Sequence, residues 1–228
     1  MDDGLGRGFN HHEYLFSRLY IVWLDELVDS YKALEKKLGF TEALPISKHW
    51  SAAADFLSII SDYCLTHKPK TIVECSSGSS SLVLAKCCQL NKYGHVTSLE
   101  NGEAYVKQTN LQLLDLRLSE YCDVVHAPLI DYQISDHDFQ WYALNNLLET
   151  KIDMLVIDGP PGFIQRHSRY PAIPLLHNRL SEQCAIFLDD AVREDEKEIV
   201  KLWLEAYPEL EFEYVENERG CSILKRYL

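Results

Sequence analysis

The sequence predicts an α/β fold in which a doubly wound, mostly parallel sheet carries helices on both faces. Three observations predict it. From residue 71 onward, short continuous apolar runs alternate with helical spacing, the pattern of parallel strands covered on both sides. The first run, 71–75, leads through a turn of small residues around Gly78 into a helix. The last two runs, 210–215 and 220–225, are joined only by the polar turn 216–219, which reads as an antiparallel hairpin at a sheet edge.

The elements follow in order. Over 12–38 an apolar face recurs through Leu15, Leu19, Val22, Trp23, Leu27, Leu34 and Leu38, which predicts a helix. Gly39 stands where a C-cap belongs, and Pro45 marks a loop. A second helix is predicted over 51–65, stopped before Pro69. Strand 71–75 then leads to helix 79–91, strand 95–100 to helix 102–119, and strand 123–126 to helix 138–150. Strand 153–158 leads through a Gly/Pro loop to helix 172–182, and strand 185–189 to helix 192–206. This divides the chain into an N-terminal helical extension, 1–50, and one α/β domain, 51–228.

Composition narrows the function. The chain has 228 residues, 46% apolar and 25% charged, enough to bury a full core. A net charge of -13 repels polyanions, which argues against nucleic acid and anionic membranes as partners. The seven cysteines include no CxxC pair, so neither a zinc site nor a disulfide framework is expected. The N-terminus carries no apolar signal region, and no run reaches membrane-spanning length. The expected location is a reducing cytoplasm.

The turn at Gly78 and the second strand carry the chemistry. That strand ends on Glu100, 22 residues after Gly78. Backbone N–H groups at a turn, with a carboxylate about 20 residues on, suit a nucleoside-containing cofactor whose ribose hydroxyls bind the acid. The turn has one glycine flanked by serines, which disfavours a dinucleotide pyrophosphate, and no Gly-Lys-Ser/Thr loop is present. An amino-acid-bearing nucleoside such as S-adenosylmethionine (SAM) fits better. A nicotinamide-dependent oxidoreductase and a non-catalytic nucleoside-binding scaffold are the alternatives.

Seven short motifs extend this reading: residues 74–80, 98–100, 126–129, 141–142, 158–162, 169–171 and 189–193. In this order they resemble the small bacterial class I SAM-dependent O-methyltransferases. The resemblance runs from about residue 50 to the end; residues 1–50 carry none of it. It implies a seven-stranded sheet whose last strand is antiparallel, with SAM, and its product S-adenosylhomocysteine (SAH), across the C-terminal ends of the first strands. Helices 12–38 and 51–65 would cover the cofactor or form a homodimer face.

The resemblance also assigns roles. Glu74, Ser76, Ser77, Gly78, Ser79 and Ser80 would surround the cofactor's amino-acid end, although Ser79 or Ser80 equally suits a helix N-cap. Glu100 would hold the ribose, Asn101 the adenosine, and His126 with Ala127 the adenine edge. Trp141 and Tyr142 sit at helical positions and suit core packing better than stacking. Asp158 would lie where methyl donor and acceptor meet. Asp158, Asp189 and Asp190 together would suit a hard divalent cation such as Mg2+; alternatively, Asp190 caps helix 192–206 and Arg193 pairs with Asp158 or Asp189. The general base of the metal-dependent relatives does not transfer, because its two known positions fall on Pro160 and Pro161. His167 is the local substitute. Arg166, Arg169 and Tyr170 would bind a polar or anionic small-molecule acceptor, a sugar or glycosylated metabolite by analogy.

Overall fold

A computed structural model describes residues 28–45 and 51–226. Its described residues fall into two units, those up to residue 43 and those from 44 onward. In the first, helix α1 covers 28–38 and buries Tyr31, Leu34 and Leu38 along one face. Gly39 ends it at φ +69, a left-handed cap that glycine adopts without strain. The predicted helix over 12–27 lies outside the described residues.

The second unit follows the predicted alternation. Its helices are α2 (Ala54–His67), α3 (Ser79–Asn91), α4 (Glu103–Asp115), α5 (Ala172–Leu176) and α6 (Glu194–Ala206). Its strands are β1 (Thr71–Cys75), β2 (His95–Glu100), β3 (Cys122–His126), β4 (Leu129–Ile134), β5 (His137–Tyr142), β6 (Ile152–Ile157), β7 (Leu180–Leu188), β8 (Leu210–Val215) and β9 (Cys221–Arg226). Seven strands form one sheet in the order β3-β2-β1-β6-β7-β9-β8. β9 runs antiparallel to both β7 and β8; the five strands from β3 to β7 in that order pair in parallel. The final strand is antiparallel as expected, but it lies one place inside the edge, and β8 is the edge strand.

Burial explains the patterning. β1 and β6 are apolar almost throughout and buried along nearly their whole length, the pattern of central parallel strands. Edge strand β8 buries only Leu210 fully and leaves Phe212 and Tyr214 exposed. α6 buries Glu196, Ile199, Val200 and Trp203, one face at helical spacing. Among the described residues no helix is long and apolar enough to cross a membrane.

Two expectations are corrected. The helix predicted over 138–150 is absent; β4 and β5 form a separate antiparallel hairpin, with Leu129 opposite Tyr142 and Ile134 opposite His137. Phe139, Trp141, Leu144 and Leu147 mimic helical spacing, but the aromatic residues favour a strand. A two-residue turn closes the hairpin, with Ser135 at φ +53, as tight hairpins require. The helix predicted over 172–182 stops at Leu176, passes through a 3-10 turn at His177–Arg179, and gives way to β7 at Leu180. Polar Ser181, Glu182 and Gln183 hide the start of that strand in the sequence.

Candidate active site

The sheet brings the C-terminal ends of β2, β1, β6 and β7 side by side. Backbone bonds hold these ends in register: Ser76 donates to Leu99, Asp158 to Cys75 and Asp189 to Ile157. A cavity of about 800 Å3 opens above them. Ser76, Ser77, Glu100, Asn101 and Asp158 line one wall, and Arg166, Arg169 and Asp190 stand further along.

The turn after β1 rests on a buried carboxylate. Glu74 is fully buried, and its Oε2 accepts hydrogen bonds from Ser81 Oγ and Ser98 Oγ, each at 2.5 Å. Ser81 Oγ in turn accepts from the Gly78 N–H at 3.1 Å. Burial pushes the Glu74 carboxyl up to about 7 against the pull of these hydroxyls. Glu74 thus shapes the turn from below. Gly78 adopts φ +146, and a side chain there would meet nothing within 4 Å; backbone conformation rather than crowding demands glycine. Gly78 is itself the N-cap of α3, Ser80 is buried, and the buried Ser79 hydroxyl has no hydrogen-bond partner among the described residues.

Glu100 faces the cavity from the end of β2. Its Oε2 accepts from Ser77 Oγ at 2.9 Å and its Oε1 from the Gly102 N–H at 2.8 Å. Each oxygen keeps lone-pair capacity for a further donor. His126 is exposed and Ala127 buried at the end of β3, and neither lines the cavity. Tyr142 does line it, delivered by β5 rather than by a helix. Its hydroxyl points at Gly159, where an added Cβ would sit 2.4 Å from it, so Gly159 makes room for the phenol.

Asp158, Asp189 and Asp190 converge as expected, with one carboxylate oxygen of each within 4.8 Å of the others. A cation already stands among them. Arg169, only 3% exposed, donates from Nη2 to Asp158 Oδ1 at 3.3 Å and to Asp190 Oδ2 at 2.8 Å. Nη1 donates to the Asp189 carbonyl at 2.9 Å and lies 3.6 Å from Glu196 Oε1. Burial works against the guanidinium's charge, but Asp158, Asp190, Glu196 and Asp189 outweigh it and hold the side chain firmly protonated. The residues therefore fit a divalent cation poorly, because two of the three carboxylates are bonded to arginine. Arg193 pairs with Asp190 at 2.9 Å and Glu196 at 3.8 Å, not with Asp158 or Asp189. The N-cap position of α6 is held by Arg193 and not by Asp190.

Asp189 is fully buried, and neither of its carboxylate oxygens accepts a hydrogen bond among the described residues. Burial, with Asp158 and Asp190 nearby, pushes its carboxyl up to about 8. The folded protein thus keeps a proton that the unfolded chain releases near pH 4. Stability conferred by that proton falls as pH rises from about 4 through about 8. Asp189→Asn is expected to raise stability at the alkaline end of this window by about 1–3 kcal/mol and to flatten the fall. Urea unfolding across the window checks this; an unchanged pH slope in the variant would sink it.

The other predicted residues lie apart from the carboxylates. His167 is clamped onto α6, its N–H donating to Asp195 Oδ2 at 2.8 Å and its Nε2 lying 2.7 Å from Glu198 Oε2; it does not line the cavity. Arg166 bonds the same Glu198 oxygen at 2.6 Å. Tyr170 packs against Phe139, with ring centroids 5.3 Å apart, and its carbonyl accepts from Trp203 Nε1. The cavity also takes in Tyr105, Phe163, Ile164 and Arg219, which sequence reasoning missed. Tyr105 and Phe163 each follow a recognised motif by a few residues, and that adjacency is the signal available for them. Arg219 has no such signal.

An acid at the end of β2, a glycine turn after β1 and a carboxylate at the end of β6, all on a doubly wound sheet, suit an enzyme domain for a nucleoside-bearing cosubstrate. Residues 73–191 match a family described as a methyltransferase domain, and the chain belongs to that family. No curated protein matches it in sequence. Among solved structures, an SAH-bound methyltransferase from Podospora anserina, PaMTH1, is 15% identical, with a TM-score of 0.61 and 100% of both chains covered. An O-methyltransferase from Bacillus cereus in complex with SAH is 13% identical, with a TM-score of 0.60 over 87% of this chain and 90% of that one. The O-methyltransferase TomG from Streptomyces achromogenes, in complex with SAM, is 10% identical, with a TM-score of 0.58 over 89% of each chain. At these identities the likeness is one of fold.

Proposed function

We propose that the protein is a SAM-dependent O-methyltransferase of a polar small molecule, such as a sugar or glycosylated metabolite, and that the reaction needs no metal. One observation carries the reading: Glu100, Ser76, Ser77 and Asp158 open onto one cavity at three neighbouring strand ends. The solved O-methyltransferases of this fold that carry SAH or SAM support the choice of donor and acceptor atom. Arg169 among the carboxylates supports the metal-free form.

Glu100 takes the ribose hydroxyls, and the turn at Gly78 leaves open space for the amino-acid end. When bound, SAM supplies an electrophilic methyl group on its sulfonium. The chain's own contribution is alignment of donor and acceptor and removal of the acceptor hydroxyl's proton. Asp158 is the group for that proton. Burial pushes its carboxyl up to about 6, offset in part by Arg169, which matches a base to neutral pH. As the methyl carbon leaves sulfur for the acceptor oxygen, the hydroxyl proton passes to Asp158; SAH, a methyl ether and a proton result.

The test is SAH formation from SAM with a panel of hydroxylated metabolites. The rate is expected to rise with pH through about 6, where Asp158 ionises, and to be the same with EDTA as with added Mg2+. Asp158→Asn is expected to lower it by roughly 10²-fold or more. A requirement for Mg2+ would sink the metal-free form. Stabilisation by NAD and not by SAH would sink the methyltransferase reading.

A further inference from the structure

Four arginines line the cavity, and three are committed. Arg166 bonds Glu198, Arg169 bonds Asp158 and Asp190, and Arg193 pairs with Asp190 and Glu196. Arg219 has no ion pair or side-chain hydrogen bond among the described residues, although it is half-buried in the cavity wall and stands close enough to Asp158 to pull that carboxyl down. On a chain of net charge -13, an uncommitted guanidinium beside reacting carboxylates is available to a ligand.

Its position is built rather than incidental. β9 runs antiparallel to β7, with Ser222 opposite Leu188, so the turn before β9 lies over the C-terminal end of β7. Val192 donates to the Arg219 carbonyl and Ala191 to the Gly220 carbonyl, both at 2.9 Å. Gly220 takes φ +73, and an added Cβ would lie 2.6 Å from both the Val192 nitrogen and the Tyr214 hydroxyl. The backbone carrying Arg219 is therefore fixed against the turn that carries Asp190.

The strand order decides which ligand Arg219 meets. Glu100, Ser76, Asp158, Asp190 and Arg219 follow β2, β1, β6, β7 and the start of β9 across the sheet. From Glu100 to the β9 backbone is four strand spacings, roughly 19 Å. A nucleoside held at Glu100 with its amino-acid end over β1 stops near Asp158. Arg219 belongs to the far side, where the acceptor enters.

We infer that Arg219 binds an anionic group of the methyl acceptor, which is a hydroxylated organic acid held by its carboxylate at Arg219 with its hydroxyl at Asp158. The inference rests on the methyltransferase reading above. A guanidinium offers a planar fork that matches a carboxylate and discriminates it from a neutral amide.

The test uses SAH-loaded protein and paired probes, glucuronate against glucuronamide and 3,4-dihydroxybenzoate against its amide, read by calorimetry. SAH binding is measured first, and its absence would count against the donor reading, not against Arg219. With SAH bound, the acids are expected to bind about tenfold or more tighter than the amides. Arg219→Gln is expected to abolish that preference while leaving SAH affinity unchanged, and Arg219→Lys to restore part of it. Three outcomes overturn the inference: no preference for acids in the wild type, a preference that survives Arg219→Gln, or loss of SAH affinity in that variant, which would give the cation to the cosubstrate.

Discussion

Replacing Arg169 with methionine is expected to destabilise the protein by about 3–5 kcal/mol, the largest loss expected from a single change at the site. The guanidinium is the common partner of Asp158 and Asp190 and lies 3.6 Å from Glu196, and all four side chains are largely withdrawn from water. A hydrophobic replacement fills much of the volume but leaves like charges in a buried cluster, an arrangement far costlier than losing an exposed pair. Thermal unfolding should fall by roughly 10 °C or more. Acidification is expected to restore much of the loss, because protonating the carboxylates removes their repulsion. A loss below about 1 kcal/mol, or one indifferent to pH, would mean that Arg169 is not the counter-ion of the cluster. Arg169→Lys keeps the charge but not the fork that reaches two carboxylates and two carbonyls, so it is expected to fall between methionine and wild type.

Glu100→Ala is expected to weaken SAH binding by about 100-fold, the equivalent of about 3 kcal/mol for charge-assisted bonds to two ribose hydroxyls. The fold should tolerate the change better than the change at Arg169. Glu100 faces the cavity, and the partners it would abandon, Ser77 Oγ and the Gly102 N–H, are themselves part-buried beside that opening. Titration calorimetry with SAH, set beside the unfolding midpoint of the same variant, separates the two effects. Unchanged affinity would remove Glu100 from the ribose site. Lost affinity matched by a collapsed midpoint would show that it acts through the turn at Ser77.

Much of the fold was legible because burial on both faces leaves a coarse trace. β1, β2, α3 and β8 begin and end where their apolar runs and turns predict. The trace failed where two periods overlap. Residues 138–150 space their aromatic and aliphatic side chains acceptably for a helix, and only pairing with 129–134 across a two-residue turn makes 137–142 a strand. It failed again at β7, where the polar Ser181, Glu182 and Gln183 fall in a register shift between Leu180, opposite Ile152, and Ala185, opposite Met154, so that no continuous apolar run marks the strand's start.

The site divides along the same line. Glu74, Glu100, Asp158 and the Asp189–Asp190 pair each stand at the end of an apolar run and Gly78 in the turn after one, and a strand end is a position that local sequence reveals. The sequence by itself therefore determined the doubly wound sheet, the glycine-serine turn after its first strand and the gathering of three carboxylates. Only the tertiary structure decided what accompanies those carboxylates. Arg169, 11 residues beyond Asp158, bonds two of the three carboxylates that one of two sequence readings offered to a metal, and His167 turns onto α6. Arg219 enters because β9 inserts antiparallel beside β7. A charge's partners depend on distances between segments remote in sequence, and no local periodicity encodes those distances.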